Sequence, residues 1–489
     1  VSLTVKDLSD DQREAYEAIV RWVGDPDGRD LLSLGGYAGS GKSTLVSLVA
    51  EQVDLPAFCA YTGKAASVLR RKLAAAGTVT VGAQKRSRGA MSTGGRPYCG
   101  TIHGLIYRPC DCREPKTVEV QKPCPEKDCA SETGWTDWQS RCGSGHVGLV
   151  KTVQAFEDIK PEMKFVYVQK GVDGRCQLCD GKGWLPREVL DRNYGLIIVD
   201  EASMVDDTML RDLREYGVPI LAVGDHGQLP PVGGSGSLMK APHLRLEKIH
   251  RQAEGNPIIA LSKIIRETGR IPDDMPDSEA VRFGRLQFVK QIIEERYADA
   301  SAARLLEMGL AVYTNKLRCG LNLAVRRVRC RSMQLGPPRV GEHVVCLRNI
   351  KEHGGQPPVA NGMRGVLQSD AVWKQEKIGE SETHLVGSIS FPEDEIGALD
   401  YEMFAPQFNR EKTFSSPEEL ARETGIRSFQ KIGNLFDFGY AMTVHKMQGS
   451  QFDDLVVCAE RPPVVSDDDY RRWAYTAVTR AASKLTVLR

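Results

Sequence analysis

Gly36-Tyr37-Ala38-Gly39-Ser40-Gly41-Lys42-Ser43-Thr44 follows the apolar run Leu31-Leu32-Ser33-Leu34 and leads into Leu45-Val46-Ser47-Leu48-Val49-Ala50. That order predicts strand, glycine-rich turn and helix, with the G-x-x-x-x-G-K-[ST] pattern at the turn. The glycines let backbone N–H groups curl around a phosphate, and the new helix adds its positive N-terminal end. Gly36, Gly39, Ser40, Gly41, Lys42, Ser43 and Thr44 are therefore the predicted nucleotide-binding set. Lys42 reaches the β- and γ-phosphates, and the Ser43 hydroxyl ligates magnesium. Glycine-rich turns also serve tight packing, but packing alone does not call for the Lys-Ser pair. The stretch predicts binding of a nucleoside triphosphate.

Working outward, the chain has 489 residues and a formal net charge of +1, so two or more domains are expected and overall charge says nothing about nucleic acid. Basic residues are concentrated between Lys64 and Lys122, a pattern that a solvated helix face and a loop also explain. No apolar run approaches membrane-spanning length and no signal-type apolar segment opens the chain. A cytoplasmic or otherwise intracellular location, as in a bacterial or phage-infected cell, and no membrane partner are expected.

The opening Leu8–Ile19 reads as a capped amphipathic helix, with Ser9 or Asp10 as N-cap and Ala15, Ile19 and Val20 inward. Gln12 in its first turn could read an adenine edge, or be an ordinary surface glutamine. Ala57–Tyr61 reads as a buried strand delivering Thr62 and Lys64, where open α/β sheets bind ligands. A Gly/Ser/Arg-rich loop follows, then Thr101-Ile102-His103. Leu196-Ile197-Ile198-Val199-Asp200-Glu201 is the acidic strand expected beside a phosphate loop, with Asp200 in the magnesium shell and Glu201 polarising the attacking water. The strand Ile220–Val223 delivers Gly224-Asp225-His226-Gly227-Gln228, where Gln228 could sense the γ-phosphate. Farther on, Leu246–Gln252 supplies Arg251, and Ala311–Lys316 reads as a strand and turn containing Asn315. Pro337 to about Lys431 reads as a small β unit, Ala441–Gln451 as a strand, and Trp473–Ala481 carries Arg480. The chain stops after a predicted strand, Lys484–Leu488, which reads as leaving no further activity behind it.

Eight of the 13 cysteines, from Cys99 to Cys179, lie in one segment that breaks the α/β rhythm. In a reducing compartment such clustering favours metal over disulfides. Cys110, Cys112, Cys176 and Cys179 could close one tetrahedral zinc site at the base, and Cys124, Cys129, Cys142 and His146 a second. One or two ions are expected; the same thiolates could also hold an iron–sulfur cluster.

Taken together, these motifs and their order resemble a superfamily 1 DNA helicase of the RecD/Dda-like group, which moves 5′ to 3′ on single strands. The resemblance implies an α/β fold of two RecA-like parallel-sheet domains (a P-loop NTPase). Residues 1–106 and 187–237 would form the first and 238–335 with 433–489 the second. A cysteine-rich insertion, 107–186, would stand at the pin position of the first, and an SH3-like β insertion, 336–432, in the second. It makes Gln12 the adenine reader and Lys42, Ser43, Asp200, Glu201 and Gln228 the hydrolytic site, faced by Arg251 and Arg480. Gly449 and Gln451 fall in the motif that contacts the ribose, although that group usually has glutamate where Gln451 stands. Thr62, Lys64, Thr101, His103, Asn315, Thr443, His445 and Lys446 match positions that grip the nucleic-acid backbone. ATP, Mg2+ and Zn2+ are the cofactors expected. Single-stranded and forked DNA, and a single-stranded-DNA-binding or replication/recombination protein, are the partners expected. An RNA helicase of the same superfamily, a decayed non-catalytic binding module and a helicase–nuclease subunit are the competing readings.

Overall fold

The computed structural model describes residues 4–25, 30–75, 77, 97–109, 184–231, 238–247, 255–273, 275–350, 359–374, 383–414, 417–426 and 432–489. The chain divides into two compact units, Val1–Ile102 with Arg192–Arg489, and His103–Asp191.

The larger unit opens with the helix Asp10–Gly24. Ser9 caps it reciprocally: its backbone N–H donates to Gln12 Oε1 at 3.0 Å, and Ala15 and Ile19 face inward. Strands β1 (Leu31–Gly36), β2 (Pro56–Ala60) and β3 (Tyr98–Thr101) follow. In the smaller unit, β4 (Tyr107–Pro109) pairs antiparallel with β5 (Trp184–Pro186). Back in the larger unit, β6 (Leu196–Asp200), β7 (Ile220–Gly224) and β8 (Leu244–Leu246) complete a sheet in the order β3-β2-β6-β7-β1-β8. Its pairings are parallel, Leu34 lying opposite Val223 and Phe58 opposite Ile198. Both faces are covered, so β6 and β7 read as unbroken apolar runs. All the expected site residues on this sheet leave from the carboxyl ends of its strands, where an open α/β sheet forms its ligand crevice.

A second parallel sheet contains β9 (Val281–Gly284) and β10 (Met308–Val312). An antiparallel module then intervenes: β11 (His343–Cys346), β12 (Arg364–Leu367), β13 (Val372–Trp373), β14 (His384–Phe391), β15 (Ile396–Phe404) and β16 (Phe436–Phe438). Phe391, Tyr401, Met403 and Phe436 fill its core. The chain returns through β17 (Ala441–Thr443), β18 (Phe452–Cys458) and β19 (Ala481–Leu488), giving the order β17-β10-β18-β19-β9.

The sequence reading of Ala441–Gln451 as a strand is corrected here. The strand ends at Thr443, and Val444–Met447 is a short helix. Thr443 sits in an extended conformation at its N-cap, a position this residue type favours. The fold is α/β, two parallel-sheet domains of P-loop NTPase type with a small antiparallel module in the second.

Candidate active site

The phosphate loop leaves β1 at Gly36 and enters the helix Lys42–Ala50 at its N-cap, Gly41. Gly39 and Gly41 have φ of +82° and +80°, backbone that a side chain would strain. A Cβ at Gly36 would stand 2.5 Å from Ser40 Oγ. Lys42 Nζ donates to the carbonyls of Gly36 at 2.6 Å and Tyr37 at 2.9 Å, holding its ammonium over the mouth of the loop. Ser40 Oγ is buried without a hydrogen-bond partner, a donor left over for a ligand oxygen. These features fit a bound triphosphate. Ser43 is exposed at the first turn of the helix, as a magnesium ligand must be, and Thr44 follows it half-buried. Gln12 is buried behind the loop and donates from Nε2 to the Ser40 carbonyl at 2.9 Å, bracing it.

The acids arrive from β6. Asp200 ends the strand, and its Oδ1 accepts the Glu201 N–H at 2.9 Å. Glu201 has φ +53°, ψ +41°, a left-handed conformation that costs a non-glycine residue on the order of 1 kcal/mol and is typical of functional sites. Burial pushes its carboxyl above the ordinary value. Arg480 pulls it down, Asp200 pushes it up and Lys42 pulls it down, with a net upward result. Upward is the direction that strengthens a carboxylate as a base.

From β7 comes Asp225, 1% exposed, which accepts from Gly227 N at 2.9 Å and Gln228 Nε2 at 3.4 Å. Gln228 Oε1 is buried without a partner, as suits a sensor of phosphate or water. Arg480, 5% exposed, is fixed at the end of the helix Asp467–Val478; its Nε has no hydrogen-bond partner. The structure thus brings Lys42, Asp200, Glu201 and Arg480 into one electrostatic neighbourhood. Arg251 lies outside the described residues.

Beside the loop opens a cleft lined by Lys240, Arg245, Arg266, Arg471 and Arg472, with Tyr37, His226 and Tyr475. The Arg266 guanidinium stands 3.7 Å from the Tyr37 ring centroid, and the His226 ring 4.2 Å from it. Burial and nearby Arg245, Lys42 and Arg266 hold His226 below its usual range against the pull of Asp225. A pocket with so many cations suits an anionic ligand.

The expected strand-gripping residues divide. Thr62 caps the helix Gly63–Ala75, its Oγ1 accepting from Ala65 N at 3.1 Å. Lys64 is 5% exposed and ion-paired with Glu393 of the antiparallel module, whose carboxylate also pairs with Arg364. Beside it Ser67 donates to Asp394 at 2.7 Å. Asn315 and Lys446 are exposed and His445 is half-buried, lowered in pKa by burial. Thr443 is buried, and Thr101 stands half-buried at the end of β3. In the smaller unit, the His103 ring lies 4.4 Å from that of Tyr107. Gly449 is pressed against Ala65, where a Cβ would come within 2.9 Å, and Gln451 is exposed just before β18. Neither is thereby placed at the phosphate loop. The proposed zinc ligands Cys110, Cys112, Cys124, Cys129, Cys142, His146, Cys176 and Cys179 lie outside the described residues. Among the described residues there is no group of three or more potential metal ligands, and no helix is long and apolar enough to cross a membrane.

Sequence reasoning passed over Asp225 and Tyr475, although both lie in segments it singled out. The Tyr475 hydroxyl donates to Asp225 Oδ2 at 2.7 Å and accepts from the Ala38 N–H at 3.2 Å. A polar tip on an otherwise apolar helix face was the available signal.

Two family models match: an AAA domain over residues 28–234 and a UvrD-like helicase C-terminal domain over 438–488. Together with the phosphate loop and the two parallel sheets, these matches point to an ATP-dependent DNA helicase, for which Mg2+ is the implied metal. Among solved structures, the chain is similar to the Pif1 helicase from Bacteroides in complex with ADP-AlF3 and ssDNA, at 16% identity, over 98% of this chain and 92% of that one, with TM-score 0.44. It is also similar to Pif1 from Candida albicans (15% identity, 99% and 95% covered, TM-score 0.40) and to the PRRSV helicase (12%, 97% and 54%, 0.29). No curated protein matches it.

Proposed function

We propose that the chain is an ATP-dependent DNA helicase that translocates 5′ to 3′ on single strands and unwinds duplexes ahead of it. The observation that carries the ATPase part is the convergence of Lys42, Asp200 and Glu201 from one parallel-sheet domain with Arg480 from the other. The order of the motifs supports the polarity and the resemblance to the RecD/Dda-like group supports DNA, since the strand-gripping motifs themselves serve DNA and RNA alike.

In this reading the loop N–H groups, the Ser40 hydroxyl and Lys42 hold the triphosphate, and Ser43 with Asp200 hold magnesium. A magnesium ion held there would supply positive charge against the triphosphate. Glu201 takes a proton from water as its oxygen attacks the γ-phosphorus and the bond to the ADP oxygen breaks. Gln228 orients that water, and Arg480 with Arg251 balances charge on the transferring group. An arginine so placed is worth on the order of 10³–10⁵ in rate. Closure on ATP and opening on ADP would shift one domain against the other, and alternating grip on the strand gives the shift direction. Thr62, Thr101, Asn315, Thr443, His445 and Lys446 would hold phosphates, which carry no sequence information. Gln12 supports the loop and is the proposed adenine contact, while Gly449 and Gln451 are the proposed ribose contacts. The eight ligands from Cys110 to Cys179 would hold zinc in a stiffened pin that includes the approach from His103.

Steady-state ATPase with oligo(dT), with the matching RNA and with neither tests the substrate class. Strong stimulation by oligo(dT), absent in Lys42→Ala, is expected. Stimulation by RNA alone would favour the RNA-helicase reading.

A further inference from the structure

The helix Asp467–Val478 belongs to the second parallel-sheet domain and ends two residues before Arg480. It carries Tyr475, 2% exposed, whose hydroxyl bridges Ala38 N and Asp225 Oδ2. The proton order is forced: a backbone N–H can only donate and an ionised carboxylate only accept, so the phenol proton points at Asp225. Burial and Asp225 hold the phenol well above its ordinary pKa, so that proton stays in place.

The same helix grips the rest of the segment after β7. Thr476 Oγ1 accepts from Leu229 N at 3.0 Å, and Arg472 donates to the His226 carbonyl at 3.2 Å. From the helix Val444–Met447 side, Gln448 Nε2 donates to the Leu229 carbonyl at 3.1 Å, and the Leu229 side chain lies in the second domain's apolar core. Asp225–Leu229 is thus covalently part of one domain and hydrogen-bonded by the other.

We propose that Tyr475 is a positioning residue for hydrolysis. Its hydroxyl ties the phosphate loop at Ala38 and the Asp225–Gln228 turn to the helix that ends at Arg480. Gln228 and Arg480 then reach the phosphate in register when the two domains are closed. The inference rests on the chain being an ATP-driven enzyme with its cleft between these domains. The Tyr475 hydroxyl is committed to Ala38 and Asp225, so it acts through Arg480 and Gln228. Nucleotide binding by Lys42 and the loop amides other than that of Ala38 does not need it. Its removal therefore acts on turnover in the closed state, lowering kcat and leaving KM nearly unchanged.

The test uses the full chain and its Tyr475→Phe variant, which keeps the ring and removes the hydroxyl. Losing one hydrogen bond to a charged acceptor predicts a fall in kcat of roughly 10- to 100-fold at saturating oligo(dT). The KM for ATP should stay within about twofold, as should oligo(dT) affinity. Asp225→Asn keeps an acceptor for the hydroxyl and should retain more activity than Asp225→Ala. Tyr475→Phe added to Asp225→Ala should cost little more than Asp225→Ala alone. Unchanged kcat in Tyr475→Phe, whether or not its melting temperature falls, would overturn the inference, as would fully additive losses in the double variant. If wild-type ATPase ignores oligo(dT), the DNA-motor reading fails instead. The same comparisons made on the unstimulated rate then still decide the role of Tyr475.

Discussion

Glu393→Gln probes the docking of the antiparallel module on the helix that bears Lys64. Its carboxylate pairs with two cations whose side chains are nearly sealed from water, Lys64 at 6% and Arg364 at 3%, while Glu393 itself keeps 21% exposure. Glutamine preserves the shape but leaves both cations without a counter-charge. Breaking a buried pair from one side costs roughly 3–5 kcal/mol, and the partial exposure of Glu393 puts this case near the lower figure. About 3 kcal/mol is on the order of a hundredfold shift in the docked–undocked equilibrium. Hydrogen exchange over Gly63–Leu69 and Pro392–Glu395 reads that shift directly, and oligo(dT) affinity reads its consequence. The expected outcome is faster exchange in both segments and tighter strand binding, because Lys64 is released to phosphate. Acid should act in the same direction. Burial alone would raise the Glu393 carboxyl, but Arg364 and Lys64 outweigh it and hold it below the ordinary 4.5. Its stabilising contribution is therefore complete well above pH 4.5 and is lost as the pH falls through the lower folded-state value. Exchange that is unchanged in Glu393→Gln at neutral pH would refute this account of the docking.

Three further outcomes are expected. Glu201→Gln should lower oligo(dT)-stimulated kcat by roughly 10²–10⁴ while nucleotide affinity is kept, as single-turnover and equilibrium binding measurements would show. Asn322→Leu removes three buried hydrogen bonds, to the Phe438 carbonyl at 3.2 Å, to the Ala441 carbonyl at 3.3 Å and from Ala441 N at 2.8 Å. With at least one buried donor left unsatisfied, it should destabilise the second domain by about 3 kcal/mol in urea unfolding. Chelation of zinc should abolish unwinding and spare oligo(dT)-stimulated ATPase; full unwinding by metal-free protein would remove zinc from the account.

Much of the fold is local and therefore legible. The phosphate loop announces itself because its glycines, lysine and serine sit at fixed offsets between a strand and a helix, and the apolar runs of β6 and β7 mark buried parallel strands. Val444–Met447 is a helix of four residues, too short to show a helical periodicity of its own. Long-range pairings leave no local trace. Tyr475 and Asp225 are 250 positions apart, so nothing near either residue announces the hydroxyl between them. Lys64 illustrates a second long-range pairing. A lysine after a strand end suggests an exposed phosphate ligand, whereas its partner, Glu393, lies 329 positions away in the antiparallel module. Gln12 reads as an adenine contact or a bystander, yet its amide is engaged by Ser9 N and the Ser40 carbonyl, a supporting role that needs the folded loop to be visible.

The central claim is that ATP hydrolysis in this cleft drives strand separation with 5′ to 3′ polarity. Unwinding of 5′-tailed, 3′-tailed and blunt duplexes, with ATP and either wild-type protein or Lys42→Ala, tests it most directly. The account predicts displacement of the 5′-tailed duplex alone, by wild type alone. Displacement confined to the 3′-tailed duplex, or equal displacement by Lys42→Ala, would contradict it.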